Sequence, residues 1–526
     1  MRLSGQADNL ISFWFDLFVI RETYNRYILE ITVFVCGALV MIFEIIGSRI
    51  LSPFIGTSTY VWTSLIGIIL GALSLGYWLG GRIADRRPDK KVLGSVILAA
   101  GALVAATVLI KEVFLSSVGS AAIGLELKAV IASLVLFGPA SVCLGIVTPF
   151  AVRLKMTSLD NTGQTVGRLY ALSTIGSIVG TFVAGFLLIP FVGSVRTLYM
   201  IAGTLMALSF LVGAGPFTSK NIAAVLLLVL GISASEGVNY LLRTQSDLYD
   251  IDTEYSRVQV FRSRDTETGR EFKAIATDPY FAQSAMYLDD GSPVFDYIPF
   301  YKLVGHFNPG HRNALMIGGA GYTLPREYLK ENPEARIDVV EIDLRMTEIA
   351  RTHFGLTDEP RMSIFHEDGR VYLNRAHPAQ YDAVFIDAFG SLFSIPFQLT
   401  TVEAVSAVHR TLKDNGVVIV NIGSAFAGPA GRFLQAEYKT YKAVFPDVVL
   451  FKVRPDRRDE DLQNAVLIAC KGRCTAAGSA NPQFVPLLSH RFDASGDFST
   501  NTLSILTDDL APVEYYNSLA LSVYRR

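Results

Sequence analysis

The stretch NALMIGGAGYTLPREYLKENPEARIDVVEID, residues 313–343, decides the fold of the C-terminal half of this chain. Its apolar run NALMIG is followed by the glycine-rich GAG and a helical pattern, and the second apolar run, RIDVVEI, follows that helix. A strand that enters a helix through glycines and is followed by another apolar strand is typical of a βαβ unit in a parallel sheet. The stretch therefore predicts an α/β domain that binds ligands beyond the carboxyl ends of its strands.

Strands and helices alternate after this unit. Further strand candidates are MSIFHE (362–367), DAVFID (382–387), GVVIVNI (416–422), DVVLFKV (447–453) and NAVLIAC (464–470), and helical patterns occupy 344–354 and 401–413. Before the unit, segments 254–263, 270–278 and 284–291 alternate polar and apolar residues, as in a small antiparallel sheet. We expect a small β-sheet followed by a methyltransferase-like (Rossmann-type), mostly parallel doubly wound sheet, whose last two strands form an antiparallel edge.

The N-terminal half is too apolar for a soluble domain. The chain has 526 residues, of which 51% are hydrophobic and 18% charged, and the charges concentrate after residue 242. Apolar stretches of roughly 20 residues, enough to span hydrocarbon, lie at about 28–48, 60–81, 92–110, 129–150, 169–190, 197–215 and 222–242. We expect a multi-pass α-helical membrane bundle of about seven helices. The expected domains are an N-terminal interfacial segment (1–26), a transmembrane domain (27–243), a small β-strand subdomain (244–305) and a Rossmann domain (306–526).

The side of the membrane on which the C-terminal domain lies is open to two interpretations. The basic loop 82–91 and the cations Arg153, Lys155 and Arg168 mark cytoplasmic loops by the positive-inside rule. Seven crossings counted from these loops put the C-terminal domain outside, whereas a cytosolic adenosine-type substrate requires it inside. A stretch that does not span, or an extra inserted segment at 10–20 or 114–125, would reconcile the two. We expect a cell-membrane protein with a cytoplasmic catalytic domain.

Charge and cysteine content argue against a nucleic-acid-binding protein and against a metal-binding protein. The net charge of -2 and the lack of a large basic patch argue against a nucleic-acid partner. Cys36 and Cys143 lie in apolar runs, and Cys470 and Cys474 form CKGRC with no matching Cys or His cluster elsewhere. The sequence therefore predicts four free thiols and no metal site.

The residues that end the predicted strands are the candidates for chemistry. Gly318, Gly319 and Gly321 permit a tight turn and a close approach of a ligand to backbone N–H groups. Glu341 ends the second strand about 20 residues later, where an acidic residue accepts hydrogen bonds from ribose hydroxyls. A surface salt bridge is the structural alternative for Glu341, and Asp343 is expected to cap the next helix.

Two further acidic residues follow the next strands. Asp368, in EDGR with Gly369, is placed to accept a hydrogen bond from the amino group of adenine. Asp387 follows the apolar strand YDAVFID, and Pro396 downstream favours a loop over an immediate helix. Such a carboxylate is either a helix cap or a group that orients an amine nucleophile and accepts its proton.

Taken together, these motifs resemble the spermidine synthase (polyamine aminopropyltransferase) family. The matching motifs of the C-terminal half are the strand of Gln259, LDDG (288–291), IGGAGYTLPRE (317–327), VVEID (339–343), EDGR (367–370), FIDAFG (385–390) and TDDLAPVE (507–514). Segments 44–64, 76–87 and 168–193 extend the resemblance to the transmembrane branch of the family.

This resemblance implies an enzyme of polyamine biosynthesis. Its co-substrate would be decarboxylated S-adenosylmethionine, its acceptor an amine, and it would need no cofactor. By position, Gln259, Glu341, Asp368 and Gly369 would hold the nucleoside, and Asp387 would be the acid–base residue. Soluble members are often dimers or tetramers, which the fused bundle would retain or replace as a homo-oligomer.

Three departures from the family pattern concern the charges around the substrates. Ala320 and Gly390 stand where soluble members carry aspartates, and Phe300, Tyr301 and Lys302 replace a Tyr-His-Glu segment. Desolvating a diamine requires negative partners, so these losses argue against putrescine as the acceptor. The remaining candidates on the acceptor side are Tyr301, Asp508, Asp509 and Glu514, whose carboxylates either replace the lost charges or tie down the C-terminus.

Two alternative functions remain open at this point. Without an aspartate at position 320, the donor could be S-adenosylmethionine itself, which would give methyl or aminocarboxypropyl transfer. The other alternative is a transporter or sensor that binds a polyamine or nucleoside without turnover. The position of Asp387 at the end of a strand is the main sequence argument against this last function.

Overall fold

The computed structural model describes residues 4–56, 58–121, 123–156, 162–214, 219–277, 281–388, 395–474, 478–495, 498 and 503–524. Two units follow from the internal contacts. The first comprises Met1–Leu51, Tyr60–Ala121 and Glu126–Val238, and the second comprises Ser52–Thr59, Ala122–Leu125 and Asn239–Arg526.

Most described residues of the first unit are helical. Its helices are α1 (Ser4–Ile55), α2 (Thr59–Arg86), α3 (Lys90–Ser120), α4 (Leu125–Leu136), α5 (Gly138–Lys155), α6 (Thr162–Val183), α7 (Ile189–Phe191), α8 (Ser194–Ser209) and α9 (Ser219–Ser246). Within the described ranges, five helices are long and apolar enough to cross a membrane, and the pair α4 and α5, bent by 53°, makes up to six. The segment expected to cross at 222–242 lies in α9, of which Ile222–Ser233 is a shorter apolar stretch.

Small residues bring the helices of this unit into close contact. A Cβ atom added at Gly176 or Gly180 of α6 would collide with the backbone carbonyls of Phe34 and Ala38 in α1. Packing of this kind lets helix backbones approach in lipid, where no hydrophobic force drives helices together. These glycines therefore serve helix packing.

The second unit begins with a four-stranded antiparallel sheet. Its strands, in the order β1-β2-β3-β4, are β1 (Tyr249–Asp252), β2 (Arg257–Arg264), β3 (Glu271–Ala276) and β4 (Ala282–Tyr287). The three predicted strands are confirmed. The sequence pattern missed β1 because YDID is too short for the alternation of polar and apolar residues to be recognised.

An eight-stranded sheet follows. Its strands are β5 (Asn313–Ile317), β6 (Arg336–Val340), β7 (Met362–Phe365), β8 (Tyr381–Ile386), β9 (Leu412–Ser424), β10 (Asp447–Lys452), β11 (Gln463–Cys470) and β12 (Arg491–Phe492). The order is β12-β10-β11-β9-β8-β5-β6-β7. Strands β5 to β9 are parallel, and β10, β11 and β12 pair antiparallel. The predicted doubly wound sheet with an antiparallel edge is confirmed.

Helices cover both faces of this sheet with two apolar clusters. They are α10 (Val304–Phe307), α11 (Thr323–Glu331), α12 (Leu344–His353), α13 (Gly369–Arg375), α14 (Val402–Thr411), α15 (Arg432–Lys442), α16 (Val485–Leu488) and α17 (Val513–Tyr524). Asp343 caps α12 as predicted, since its side chain accepts a hydrogen bond from the Arg345 amide. Asp368 caps α13 in the same way, through the amides of Arg370 and Val371.

One prediction about cysteine is wrong. Cys470 and Cys474 form a disulfide, with their Cα atoms 5.5 Å apart. The chain turns directly after β11 and returns Cys474 to within the range that a disulfide can bridge. The spacing of CKGRC does not reveal such a turn, which is why the two residues were expected to be free thiols. Cys36 and Cys143 are free, as expected.

Candidate active site

A cavity of about 890 Å³ lies at the carboxyl edge of the parallel strands. Its lining includes Glu341 after β6, Asp368 after β7 and Asp387 after β8. The volume is within the usual range for a small-molecule site. The three carboxylates that the sequence analysis placed at the ends of successive strands therefore share one cavity.

The glycine-rich loop after β5 is held by Glu341. The Glu341 carboxylate accepts hydrogen bonds from the amides of Gly319 (2.8 Å), Ala320 (3.1 Å) and Asp343 (3.0 Å). Gly318 has φ +94°, and a Cβ atom there would meet the backbone oxygen of Asp387 at 2.5 Å. Only glycine satisfies both requirements. Burial raises the pKa of Glu341 despite these three bonds, and the carboxylate retains lone pairs for a ligand hydroxyl.

Some of the other predicted donor-binding residues line the cavity and others do not. Gly319, Asp368 and Gly369 line the cavity, and Gln398 Nε2 lies 3.4 Å from Asp368 Oδ2. Gly321 is not part of the described lining and packs against Ser284. Gln259 is half-buried in β2, where it pairs with Asp250 and Ala276, and it too is outside the described lining. The structure thus brings most, but not all, of the predicted nucleoside residues together.

Asp387 lines the cavity and lies between two hydrogen-bond donors. Tyr297 Oη donates to its Oδ2 atom at 3.0 Å, and Asn421 Nδ2 donates to its Oδ1 atom at 3.0 Å. Burial raises the pKa of Asp387 to about 6, against the opposing effect of these two bonds. A carboxylate with this pKa is ionised at neutral pH, so it can orient a neutral amine and accept the proton that the nitrogen loses as it forms a new bond.

Sequence reasoning missed the residues that position Asp387. Asn464 of β11 donates through Nδ2 to Asn421 Oδ1 at 2.9 Å, which fixes the orientation of the Asn421 amide. Tyr297 lies four residues before Tyr301, the tyrosine that the sequence analysis named on the acceptor side. The signal for Tyr297 was its place in DYIPFYKL, directly before the short helix that contains Tyr301.

Of the acceptor-side candidates, Tyr301, Asp508 and Asp509 lie outside the described lining of the cavity, and Glu514 lies within it. Tyr301 Oη lies 3.4 Å from the Ile386 carbonyl and is outside the described lining of the large cavity. Asp508 forms an ion pair with Arg370 at 2.7 Å and accepts a hydrogen bond from Thr401 at 2.6 Å, so it ties down the C-terminus. Asp509 is exposed.

Glu514 differs from the other C-terminal carboxylates because it lines the cavity. Its Oε2 atom accepts a hydrogen bond from the Thr59 amide at 2.9 Å, within the same unit. Gly390, where the family has its second aspartate, lies outside the described residues. Glu514 is therefore the candidate for a replacement carboxylate.

The described residues contain no group of three or more His, Cys, Asp or Glu side chains arranged to hold a metal ion. The carboxylates of Glu341 and Asp387 each accept hydrogen bonds from amide groups of the protein.

Comparison with known proteins assigns the domain. Residues 300–452, which contain Glu341, Asp368, Asp387 and Asn421, match the family model "Spermine/spermidine synthase domain". The chain carries a spermine/spermidine synthase domain. The matched residues include β5 to β10 of the sheet and exclude the helical unit.

Relatives of the synthase domain are transferases. Polyamine aminopropyltransferase 1 of Streptomyces coelicolor is 26% identical over 443 residues, which cover 77% of each chain. The polyamine aminopropyltransferase of Pyrobaculum calidifontis is 34% identical over 154 residues, 28% of this chain and 53% of the relative. The chain thus spans about half the length of that relative and most of the Streptomyces protein. By this relationship the chain is a transferase.

Solved structures give a weaker similarity. A probable spermidine synthase from Corynebacterium glutamicum is 21% identical, with a TM-score of 0.38, over 44% of this chain and 82% of that one. Spermidine synthase from Thermotoga maritima is 18% identical, with a TM-score of 0.32, over 51% and 82%.

Proposed function

We propose that this protein transfers the aminopropyl group of decarboxylated S-adenosylmethionine to an amine. The observation that carries the proposal is the position of Asp387, held between Tyr297 and Asn421 in the cavity that also contains Glu341 and Asp368. One carboxylate with a raised pKa lies between a nucleoside-type subsite and free cavity space, where an acceptor amine would fit.

The chemistry that we propose is a direct substitution at carbon. The amine attacks the carbon next to the donor's sulfonium, the new C–N bond forms, and the C–S bond breaks with its electron pair going to sulfur. Methylthioadenosine leaves as a neutral thioether. Asp387 accepts the proton that the nitrogen must lose, and its pKa of about 6 suits this role near neutral pH.

The donor side of the cavity supports a nucleoside. Glu341 and the loop Gly318–Ala320 occupy the end of the βαβ unit, where the acidic residue after the second strand binds ribose hydroxyls in related folds. Asp368 lies beyond β7 on the same side of β8. The aminopropyl chain would then extend from this side toward Asp387.

Ala320 favours one alternative function. It lines the cavity beside Glu341 and brings no negative charge to the donor's ammonium group. A site without that charge discriminates less against a donor that keeps its carboxylate, so S-adenosylmethionine-dependent methyl or aminocarboxypropyl transfer is the second candidate. The mass of the product separates the three reactions, because each adds a different group to the acceptor.

The deciding experiment is a turnover assay with each donor and a panel of amines, followed by mass spectrometry. Aminopropyl addition, with release of methylthioadenosine, is the expected result. Methyl or aminocarboxypropyl addition would replace our proposal with the second candidate. Donor binding without any product, unchanged in Asp387→Asn, would favour a sensor or transporter.

We also propose that the apolar helices insert the chain in the cell membrane. Five to six of the described helices have the length and hydropathy that spanning requires. Packing through Gly176 and Gly180 is consistent with a lipid environment. Fractionation with and without detergent tests this location.

The cytoplasmic side expected for the catalytic unit stays a prediction, and one observation opposes it. The Cys470–Cys474 disulfide belongs to that unit, and disulfides persist mainly in oxidising compartments. The spans of the described residues do not add a second objection: with the bent pair α4 and α5 counted as one span, four crossings follow the basic loop 82–91, and an even number leads back to the cytoplasmic side. A catalytic unit outside the cytoplasm would have to receive its donor there.

A further inference from the structure

We infer that the acceptor is a diamino acid, an amine that also carries an α-amino acid group, rather than a simple diamine. This inference rests on the proposed aminopropyl transfer and names the substrate class of the same site. It comes from the residues at the end of the cavity away from the nucleoside subsite.

The order of the sheet separates the cavity into two sides. β6 and β7, which lead to Glu341 and Asp368, lie on one side of β8, and β9 and β11 lie on the other. Because β11 runs antiparallel, its first residues Gln463 and Asn464 pair with Ser424 and Gly423 at the carboxyl end of β9. They therefore lie at the same edge as Asp387, two strand spacings or roughly 10 Å away. We call this side of the cavity, formed by Gln463, Asn464, Arg457 and Leu462, the distal end.

Gln463 supplies a hydrogen-bond donor that nothing in the described structure uses. The side chain is 8% exposed and lines the cavity. Its Oε1 atom accepts from the Arg454 amide at 3.0 Å, which fixes the orientation of the side-chain amide. Its buried Nε2 atom then has no partner among the described residues. A buried donor without an acceptor is costly, so a substrate oxygen that accepts from Nε2 would remove this cost.

Arg457 adds a positive charge to the distal end. It lines the cavity from the turn between β10 and β11, and its guanidinium donates to the Leu462 carbonyl at 3.0 Å. A guanidinium retains four further N–H donors after this bond. An arginine beside an amide donor suits a carboxylate and opposes a second ammonium.

Glu514 provides the opposite charge in the same cavity. Glu514 and Arg457 both line this cavity and offer one charge of each sign, for the ammonium and the carboxylate of an α-amino acid, while Asp387 would receive the proton of the reacting terminal amine. A simple diamine would match Asp387 and Glu514 but would leave the positive charge of Arg457 and the Nε2 donor of Gln463 without a carboxylate. The distal end therefore selects for the carboxylate.

Matched pairs of acceptors test this inference. Ornithine and putrescine differ by one carboxylate, as do lysine and cadaverine. For each pair we would measure kcat and KM with decarboxylated S-adenosylmethionine, and we expect the amino acid to exceed its diamine in kcat/KM by about tenfold, mainly through KM.

Two variants and one control identify the residues responsible. Arg457→Ala and Gln463→Glu should each reduce the preference about tenfold, and Gln463→Glu keeps the acceptor for the Arg454 amide. Arg458→Ala is the control, because Arg458 forms an ion pair with Asp461 on the same turn and is not in the described lining. Calorimetric binding of the donor to each variant verifies that its fold is intact.

The outcomes separate this inference from the function on which it rests. A wild-type preference for amino acids that is lost in Arg457→Ala and Gln463→Glu, but kept in Arg458→Ala, supports it. Preference of the wild type for the diamines, or a ratio that neither variant changes, overturns the diamino acid while aminopropyl transfer stands. Absence of transfer to all four amines, with the donor bound, contradicts the proposed transfer and the inference together.

Discussion

Replacing Asp387 with asparagine should abolish turnover and yet stabilise the protein. Asparagine keeps the shape of the side chain: its oxygen still accepts from Asn421 Nδ2, and its amide can donate to the oxygen of Tyr297. It cannot take a proton from the acceptor amine. Loss of a general base lowers kcat by about 10² to 10⁴, whereas binding of the nucleoside, which we assign to Glu341 and Asp368, should change little.

The gain in stability follows from the pKa of Asp387. Burial raises this pKa from 3.8 to about 6, and at about 1.36 kcal/mol per pH unit the ionised form costs the native state about 3 kcal/mol at neutral pH. The side chain is half-buried, so solvent at the cavity reduces the cost, and we expect about 1–3 kcal/mol. Thermal unfolding in detergent measures the gain.

The raised pKa of Asp387 also determines how the free energy of unfolding changes with pH. Between about pH 4 and 6 the native wild type binds more protons than the unfolded chain, so its free energy of unfolding falls as the pH rises. The advantage of Asp387→Asn should therefore grow over this window and stay constant above it. Turnover within tenfold of wild type, or a stability difference that is the same at pH 4.5 and 7.5, would refute the reasoning.

Asp382→Asn is the matched control at the opposite end of the same strand. Asp382 accepts hydrogen bonds from the amides of Arg312 and Asn313 and pairs with Lys413, and its pKa is lowered by these partners despite an opposing effect of burial. Its replacement should destabilise the protein at neutral pH and leave kcat unchanged. A gain in stability in both variants would show that the charge of Asp387 is not the cause.

Three further changes test other parts of the site. Tyr297→Phe removes a donor that lowers the pKa of Asp387, so the acidic limb of the kcat/KM profile should move to higher pH by less than about one unit; an unmoved profile would contradict the assigned bond. Ala320→Asp should increase the preference for the decarboxylated donor over S-adenosylmethionine, measured by calorimetry, because it brings a negative charge to the donor's ammonium group. The backbone at position 320 has φ +43°, which aspartate tolerates. An unchanged preference would remove Ala320 as a determinant of the donor. Cys470 and Cys474 should resist maleimide in native membranes until a reductant is added, whereas labelling without reductant would place the pair in a reducing compartment.

The sequence predicts the part of the site that depends on strand ends. Glu341, Asp368 and Asp387 each follow an apolar strand of a βαβ succession, and parallel strands bring their carboxyl ends to one edge. Their approximate positions therefore follow from pattern alone. Gly318 can also be predicted from the sequence, because the turn after β5 requires a glycine.

The residues around Asp387 follow from the tertiary structure instead. Asn421 lies inside β9 and Gln463 begins β11, and nothing in an apolar pattern distinguishes a buried amide in a site from one in a core. Gln463 reaches the edge of the cavity only because β11 runs antiparallel, and its register with β9 is set by packing. Tyr297 was missed because the resemblance to the family pointed to Tyr301, four residues later.

The measurement that tests the central claim most directly is calorimetric binding of decarboxylated S-adenosylmethionine, S-adenosylmethionine and methylthioadenosine to the purified full-length protein. We expect the decarboxylated donor to bind most tightly, and Glu341→Ala to abolish binding of all three, because this carboxylate holds the glycine-rich loop and, in our proposal, binds the ribose. Tighter binding of S-adenosylmethionine would favour the methyl or aminocarboxypropyl reaction. Absence of binding by any nucleoside to the wild type would contradict the proposed enzyme.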